Sequence, residues 1–188
     1  MTGGSSAEAL ERELTRYLLK YGHCSFDFKE GRNVVQYNVA EVIFGELDAD
    51  GLEFQNRVFN EILRVYREQW CALGLGVEVP IHHLSITPIR RCVTCRWISL
   101  LRRIITFRAI VAAQGGPCRE RCEMLAVGVP KAVTLYKSKV IERMSRELRE
   151  KLQDENLTDD EMQDIMQRLS NLNRGKVSIA RKLHRLIL

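Results

Sequence analysis

The stretch that decides the fold runs from Pro130 onward: PKAVTLYKSKVIERMSRELREKL over 130–152, then LTDDEMQDIMQRLSNLNRGKVSIARKLHRLIL over 157–188. Val133, Tyr136, Val140, Met144, Leu148 and Leu152 recur every three or four residues. They mark one face of a helix of about 24 residues, roughly 36 Å long at 1.5 Å per residue. Pro130 sits where a first helical turn tolerates it, because its missing N–H would have no partner there. Glu142–Arg146 and Glu147–Lys151 are i,i+4 pairs in the favourable orientation. After a break at Asp154-Glu155-Asn156-Leu157, Thr158 and Glu161 form a capping box, with acids in the first turn of a second helix. Ile165, Leu169, Leu172, Ile179, Leu183 and Leu186 line its apolar side, with Lys176 in the one polar position. Gly175 reads as an interior blemish costing on the order of 1 kcal/mol relative to Ala. Two long helices on a short connection predict an antiparallel αα-hairpin over 128–188.

Upstream, three amphipathic segments predict a small helical bundle over 9–76. Leu10, Leu14, Tyr17, Leu18 and Tyr21 share one face, with Gly22 as a C-terminal cap. Residues 1–8 are read as a disordered N-terminus, within which Ser5-x-x-Glu8 is a capping-box pattern. Asn38 can cap a helix bearing Val39, Val42, Ile43 and Leu47. A third helix is expected from about Glu53 to Leu73, with Phe59, Ile62, Leu63, Tyr66, Trp70 and Leu73 on its stripe. Phe26–Phe28 and Val34–Tyr37 are either a short hairpin or an ordered loop. Asp48-Ala49-Asp50-Gly51 reads as a turn; the acids of a calcium loop do not follow it. The predicted fold class is all-α.

Composition sets 77–127 apart as an aberrant, poorly ordered Arg/Cys-rich segment. The 188 residues carry a net charge of +5. Ile81–Val127 holds eight arginines and two glutamates, a net of +6, so the rest of the chain is at −1. The same 47 residues contain no Lys, Asp or Asn, against 22 of them elsewhere. The longest apolar run, Trp97–Ala113, is interrupted by Arg102, Arg103 and Arg108, which a membrane helix would not carry. Met1-Thr-Gly-Gly-Ser has neither the basic nor the apolar region of a signal peptide. A cytoplasmic protein without membrane contact is expected.

Chemistry-bearing residues are few. Cys92-x-x-Cys95 and Cys118-x-x-x-Cys122 have thiol spacings that could hold a tetrahedral zinc. Against this, the second spacing is irregular and the intervening run lacks the polar turns of a zinc ribbon. Arg90, Arg91, Arg96, Arg102, Arg103 and Arg108 could meet phosphate, but Ile and Leu interleave them and no Lys accompanies them. No phosphate loop, Ser/His/Asp set or paired carboxylates can be named, so neither catalytic residues nor a cofactor is expected.

Leu14-Thr-Arg-Tyr-Leu-Leu-Lys-Tyr-Gly22, Val39-Ala-Glu-Val-Ile43, Leu52-Glu-Phe54 and Asn56-Arg-Val-Phe-Asn-Glu-Ile62 resemble the C-terminal region of bacterial DNA primases, the Bacteroides-type branch above all. Val129-Pro-Lys-Ala-Val133, Tyr136-Lys137 and Met162–Leu188 resemble the end of the same proteins. The resemblance covers about 120 of the 188 residues and rests on packing patterns in order. It implies a helical domain like the N-terminal domain of the replicative helicase, a terminal hairpin, and docking on that helicase to couple priming to unwinding. The family's zinc-binding and polymerase parts have no counterpart here, so the resemblance implies a non-catalytic module or fragment. The middle departs from the family's pattern. Leu84-Ser-Ile-Thr-Pro-Ile89 can be encoded by bases that, shifted by one, read Ile-His-His-Pro-Asp-Pro. Ile98-Ser-Leu-Leu-Arg-Arg103 shifts likewise to Asp-Leu-Leu-Ala-Ser-Pro. The expectation is that about 45 residues are read out of frame.

On this reading the partner is the N-terminal domain of the replicative helicase, with no direct nucleic-acid contact. The inner stripe of Val140, Met144, Leu169 and Leu183 is spent on the hairpin. The partner-binding candidates are Arg143, Arg149 and Lys151 on its first helix and Lys182, Arg185 and Leu186 near the end. Two other classes compete: a nucleic-acid-binding regulator with a zinc site on the Arg/Cys-rich centre, and a structural coiled-coil protein that dimerises through its terminal helices.

Overall fold

A computed structural model describes residues 4–30, 33–73, 79, 119–153 and 157–187. Among them are five helices and one two-stranded antiparallel sheet. The order is α1 (Gly4–Tyr21), β1 (Ser25–Glu30), β2 (Asn33–Asn38), α2 (Val39–Ala49), α3 (Arg57–Leu73), α4 (Arg119–Lys151) and α5 (Asp159–Ile187). The chain is mostly helical, but the hairpin of strands corrects the all-α expectation. Ser25 pairs with Asn38 and Glu30 with Asn33, and Tyr37 packs its ring against Phe26 and Phe28, each at 6.4 Å. Alternating aromatic and polar residues supply the cross-strand contacts a short ribbon needs.

The chain divides into two compact units, residues 11–129 and residues 130–188 with 1–10. The first holds the aromatic core: Leu14, Leu18, Phe26, Ile43, Leu47, Phe59 and Tyr66 are all at most 2% exposed. Asn38 caps α2 as expected: its Oδ1 accepts from the N–H groups of Ala40 (2.9 Å) and Glu41 (3.3 Å), and its Nδ2 donates to the Cys24 carbonyl. The expected Asp48–Gly51 turn is the C-terminal cap of α2. Leu52 N–H donates to Leu47 O and Gly51 N–H to Asp48 O, with Gly51 at φ 58. That is a Schellman motif, which needs a residue in the left-handed region.

Three boundaries differ from the sequence reading. α1 starts at Gly4, so residues 4–8 are helical rather than disordered and Ser5 lies inside the helix it was expected to cap. α3 starts at Arg57, not near Glu53, because Asn56 takes the capping role and its Oδ1 accepts the Val58 N–H at 3.0 Å. α4 begins eleven residues before Pro130 and carries that proline in its interior. The ring removes one N–H from the ladder. The Pro130 carbonyl, in turn, accepts the Thr134 hydroxyl at 2.6 Å. Residues 119–127, assigned to the aberrant segment, are therefore helical. Gly22 is not left-handed as a cap glycine would be. It is small because a Cβ there would collide with the Tyr66 hydroxyl and the Leu18 carbonyl.

Candidate functional site

The unit comprising 130–188 and 1–10 holds the long part of α4 and all of α5. The buried face of α4 is Ala132, Val133, Tyr136 and Val140, from 0 to 4% exposed. Beyond Val140 the helix emerges into solvent. Met144, expected on the inner stripe, is 40% exposed, while Ser145 one position on is buried. Helical phase does not explain this, because Met144 stands within about 20° of Val133 at 100° per residue. Among its described side chains α5 buries only Ile165; Leu169, Leu172, Ile179 and Leu183 are half-buried. Lys176, expected within that stripe, is exposed, and Gly175 takes the inner place. A Cβ on Gly175 would stand 3.5 Å from Ile141 Cδ1. Packing therefore does not require a glycine at 175, and the reading of it as an interior blemish stands.

The start of α5 is built as expected. Thr158 Oγ1 accepts the Glu161 N–H at 3.4 Å, and Glu161 Oε2 accepts the Thr158 N–H at 3.0 Å. The ion pairs on α4 are not the expected ones. Arg143 Nε lies 3.5 Å from Glu147, Arg146 Nε 3.8 Å from Glu150, and Lys139 Nζ 2.8 Å from Glu142. All are surface pairs worth little individually.

The six partner-binding candidates do not form one patch. Arg143 is half-buried and engaged with Glu147. Arg149 and Lys151 are exposed in the last turn of α4. Lys182 is exposed on α5, and Arg185 and Leu186 lie in its last two turns. From Asp159 to Lys182 the helix rises roughly 35 Å, so Lys182 and Arg185 lie at the far end of α5 from its start, whereas Arg149 and Lys151 end α4. The thiol set is not brought together among the described residues: Cys122 is in α4, whereas Cys92, Cys95 and Cys118 lie outside them, as do Arg90–Arg108. No group of three metal-ligating side chains occurs among the described residues.

Sequence reasoning missed a second apolar line on α5. Met162, Met166 and Val177 are 39%, 58% and 53% exposed. Met166 and Val177 border a shallow groove of about 750 Å³ with Leu152, Leu169, Ser170 and Asn173, and Arg174 and Arg181 stand at its rim. The signal was the spacing Met162, Met166, Ser170, Asn173, Val177, a helical line interleaved with the core stripe.

A family model described as Domain of unknown function (DUF8430) matches residues 2–79 and 117–186. The chain belongs to that family. Its DUF8430 match passes over 80–116, which falls within the segment of anomalous composition apart from residue 80. No curated protein and no solved structure matches the chain. No helix among the described residues is long and apolar enough to cross a membrane.

Proposed function

We propose that this DUF8430 chain is a non-catalytic docking module, akin to the C-terminal region of a bacterial DNA primase, that binds the N-terminal domain of the replicative helicase in the cytoplasm. In that role it couples primer synthesis to unwinding. The observation that carries the reading is how little of α5 is spent on the fold. A helix of 29 residues with one buried residue among its described side chains has most of its surface left for a partner. Arg149 and Lys151 at one end and Lys182 and Arg185 at the other offer cations to an acidic or amphipathic surface. Such contacts steer association and are screened by salt. Agreement between the primase-like motifs and the two stretches of the family match supports treating both flanks as one module.

The test is a titration of the full chain against the helicase N-terminal domain by calorimetry, at two salt concentrations. The expected result is a dissociation constant in the micromolar range that weakens with salt and with the double reversal K182E/R185E. Binding that is absent, or indifferent to both, would overturn the reading.

A further inference from the structure

We propose that the Met166–Val177 face of α5 is a homodimer surface, on which the same face of a second copy of this chain packs antiparallel. The inference draws on the same exposed surface of α5 as the proposed helicase docking, but uses its apolar middle where docking uses the basic ends. It begins from the two apolar lines of α5. Ile165, Leu169, Leu172, Ile179 and Leu183 form the half-buried inner line. Met162, Met166 and Val177 form the second, about a quarter of a turn or more away at 100° per residue, and it is exposed. Ser170 and Asn173 fill the gap between the methionines and the valine. The line from Met162 to Val177 is roughly 22 Å long.

Charge on α5 selects the occupant. Asp159, Asp160, Glu161 and Asp164 are its only acids, all within the first six residues. Every position after 164 that carries charge is basic: Arg168, Arg174, Lys176, Arg181, Lys182 and Arg185. A parallel copy would set acid on acid and base on base. An antiparallel copy sets the acidic start of each helix on the basic end of the other, and a two-fold axis repeats every contact. Centring that axis between residues 171 and 172 places Met166 opposite Val177 of the second copy and Ser170 opposite Asn173. The same register places Asp159, which shares the Met166–Val177 face, opposite residue 184 and so one turn from Arg181 of the second copy on the same flank, twice. Neither Asp159 nor Arg181 is ion-paired with another described residue. A nucleic acid fits this face poorly, since the four acids would repel phosphate over its first third. A second copy supplies what the helix lacks at both ends.

The test uses the full chain in sedimentation equilibrium or light scattering across a concentration series. The wild type is expected to pass from monomer to dimer in the micromolar range. D159R and R181D each place like charges together twice, and each is expected to raise the dissociation constant about tenfold. Mixed in equal amounts, the two variants are expected to form a heterodimer near wild-type strength, because both pairs are then opposite in sign. M166E is expected to weaken the dimer at least as much, with an unchanged helical circular-dichroism spectrum as the folding control. A monomer at every concentration up to about 100 µM overturns the proposal. So does a mixture of D159R and R181D that stays monomeric. If M166E abolishes capture of the helicase N-terminal domain and leaves the mass unchanged, the face belongs to that partner and the dimer is refuted.

Discussion

The carboxylate of Glu11, 1% exposed, accepts the backbone N–H of Gln55 at 2.7 Å across 44 residues of chain. Its second oxygen accepts the N–H of Asn56 at 3.1 Å. One buried acid on α1 therefore holds the two N–H groups that lead into α3 and sits where the positive end of that helix dipole falls.

Replacing Glu11 by Ala leaves those donors without this acceptor, and the expected loss is about 2–3 kcal/mol of stability in urea unfolding. E11Q should lose less, since one amide oxygen can still accept while its NH₂ meets the other donor. Equal stability of E11A and the wild type would show that water or another group replaces the carboxylate without loss.

Two glycines on the long helices should respond oppositely to Ala. A Cβ at Gly128 would fall 2.6 Å from the Tyr17 hydroxyl, so G128A must push that buried ring aside, costing about 1–3 kcal/mol. At Gly175 the new methyl would meet Ile141 Cδ1 at 3.5 Å, an ordinary contact. G175A is expected to gain about 0.5–1 kcal/mol from helix propensity alone. Thermal melts of the two variants read both signs, and a destabilised G175A would mean that the two helices pack more tightly there than this contact indicates.

Much of this was legible from local chemistry, and the misses have separate causes. Asn38 and the Thr158–Glu161 box were readable because a cap involves residues two or three apart, and the structure realises both. The strand pair was one of two readings, and Phe26, Phe28 and Tyr37 settle it by stacking across the ribbon. Glu11 was invisible, since a buried acid on a helix can be recognised only once its partners 44 residues away are known. Pro130 misled in the other direction. Its usual place is the first turn, yet here the helix continues through it, with Val129 and Ala132 buried on either side. Local rules lose to burial when both flanks of a breaker are apolar. For the candidate site, the six basic and apolar residues were chosen by charge and position along the helices. The exposed line of Met162, Met166 and Val177 was masked by the stronger inner stripe.

The cap of α5 offers a direct measurement. Thr158→Ala removes the hydroxyl that accepts the Glu161 N–H and is expected to cost about 1 kcal/mol. The same helices should fold when cut out: residues 128–188 are expected to give a helical circular-dichroism spectrum with cooperative melting, and T158A should lower that melt too. A random-coil spectrum for the fragment would make the hairpin dependent on the rest of the chain.

Tyr17 ties stability to alkaline pH. Burial, and next the nearby Glu13 carboxylate, push its phenol above the ordinary value of 10.0. The folded chain thus keeps a proton that the unfolded chain releases, and the linked stability, complete below about pH 10, declines as pH rises further. Lys20 tilts the same range the other way, because burial and Arg16 hold its ammonium below the usual value. The comparison that isolates Tyr17 is therefore wild type against Y17F, whose stability difference should shrink or reverse above pH 10. A difference constant from pH 8 to 11 would show that Tyr17 does not feel its burial.

The final prediction concerns the stretch that the family match skips. Residues 80–116 lie almost wholly inside the 47 residues that lack Lys, Asp and Asn and carry a net of +6. An inserted loop would be expected to be polar and rich in turn formers. This stretch instead interleaves Arg with Ile and Leu, a mixture that can neither bury its charges cheaply nor expose its apolar residues. We propose that these codons are translated out of frame. Translating the gene in the alternative frames should then produce, in one of them, a segment that the family model matches continuously from 79 to 117. If resequencing confirms the present frame and no alternative frame extends the match, the segment is a genuine insertion. Its arginines and Cys92-x-x-Cys95 would then be tested for zinc and nucleic-acid binding in the full chain.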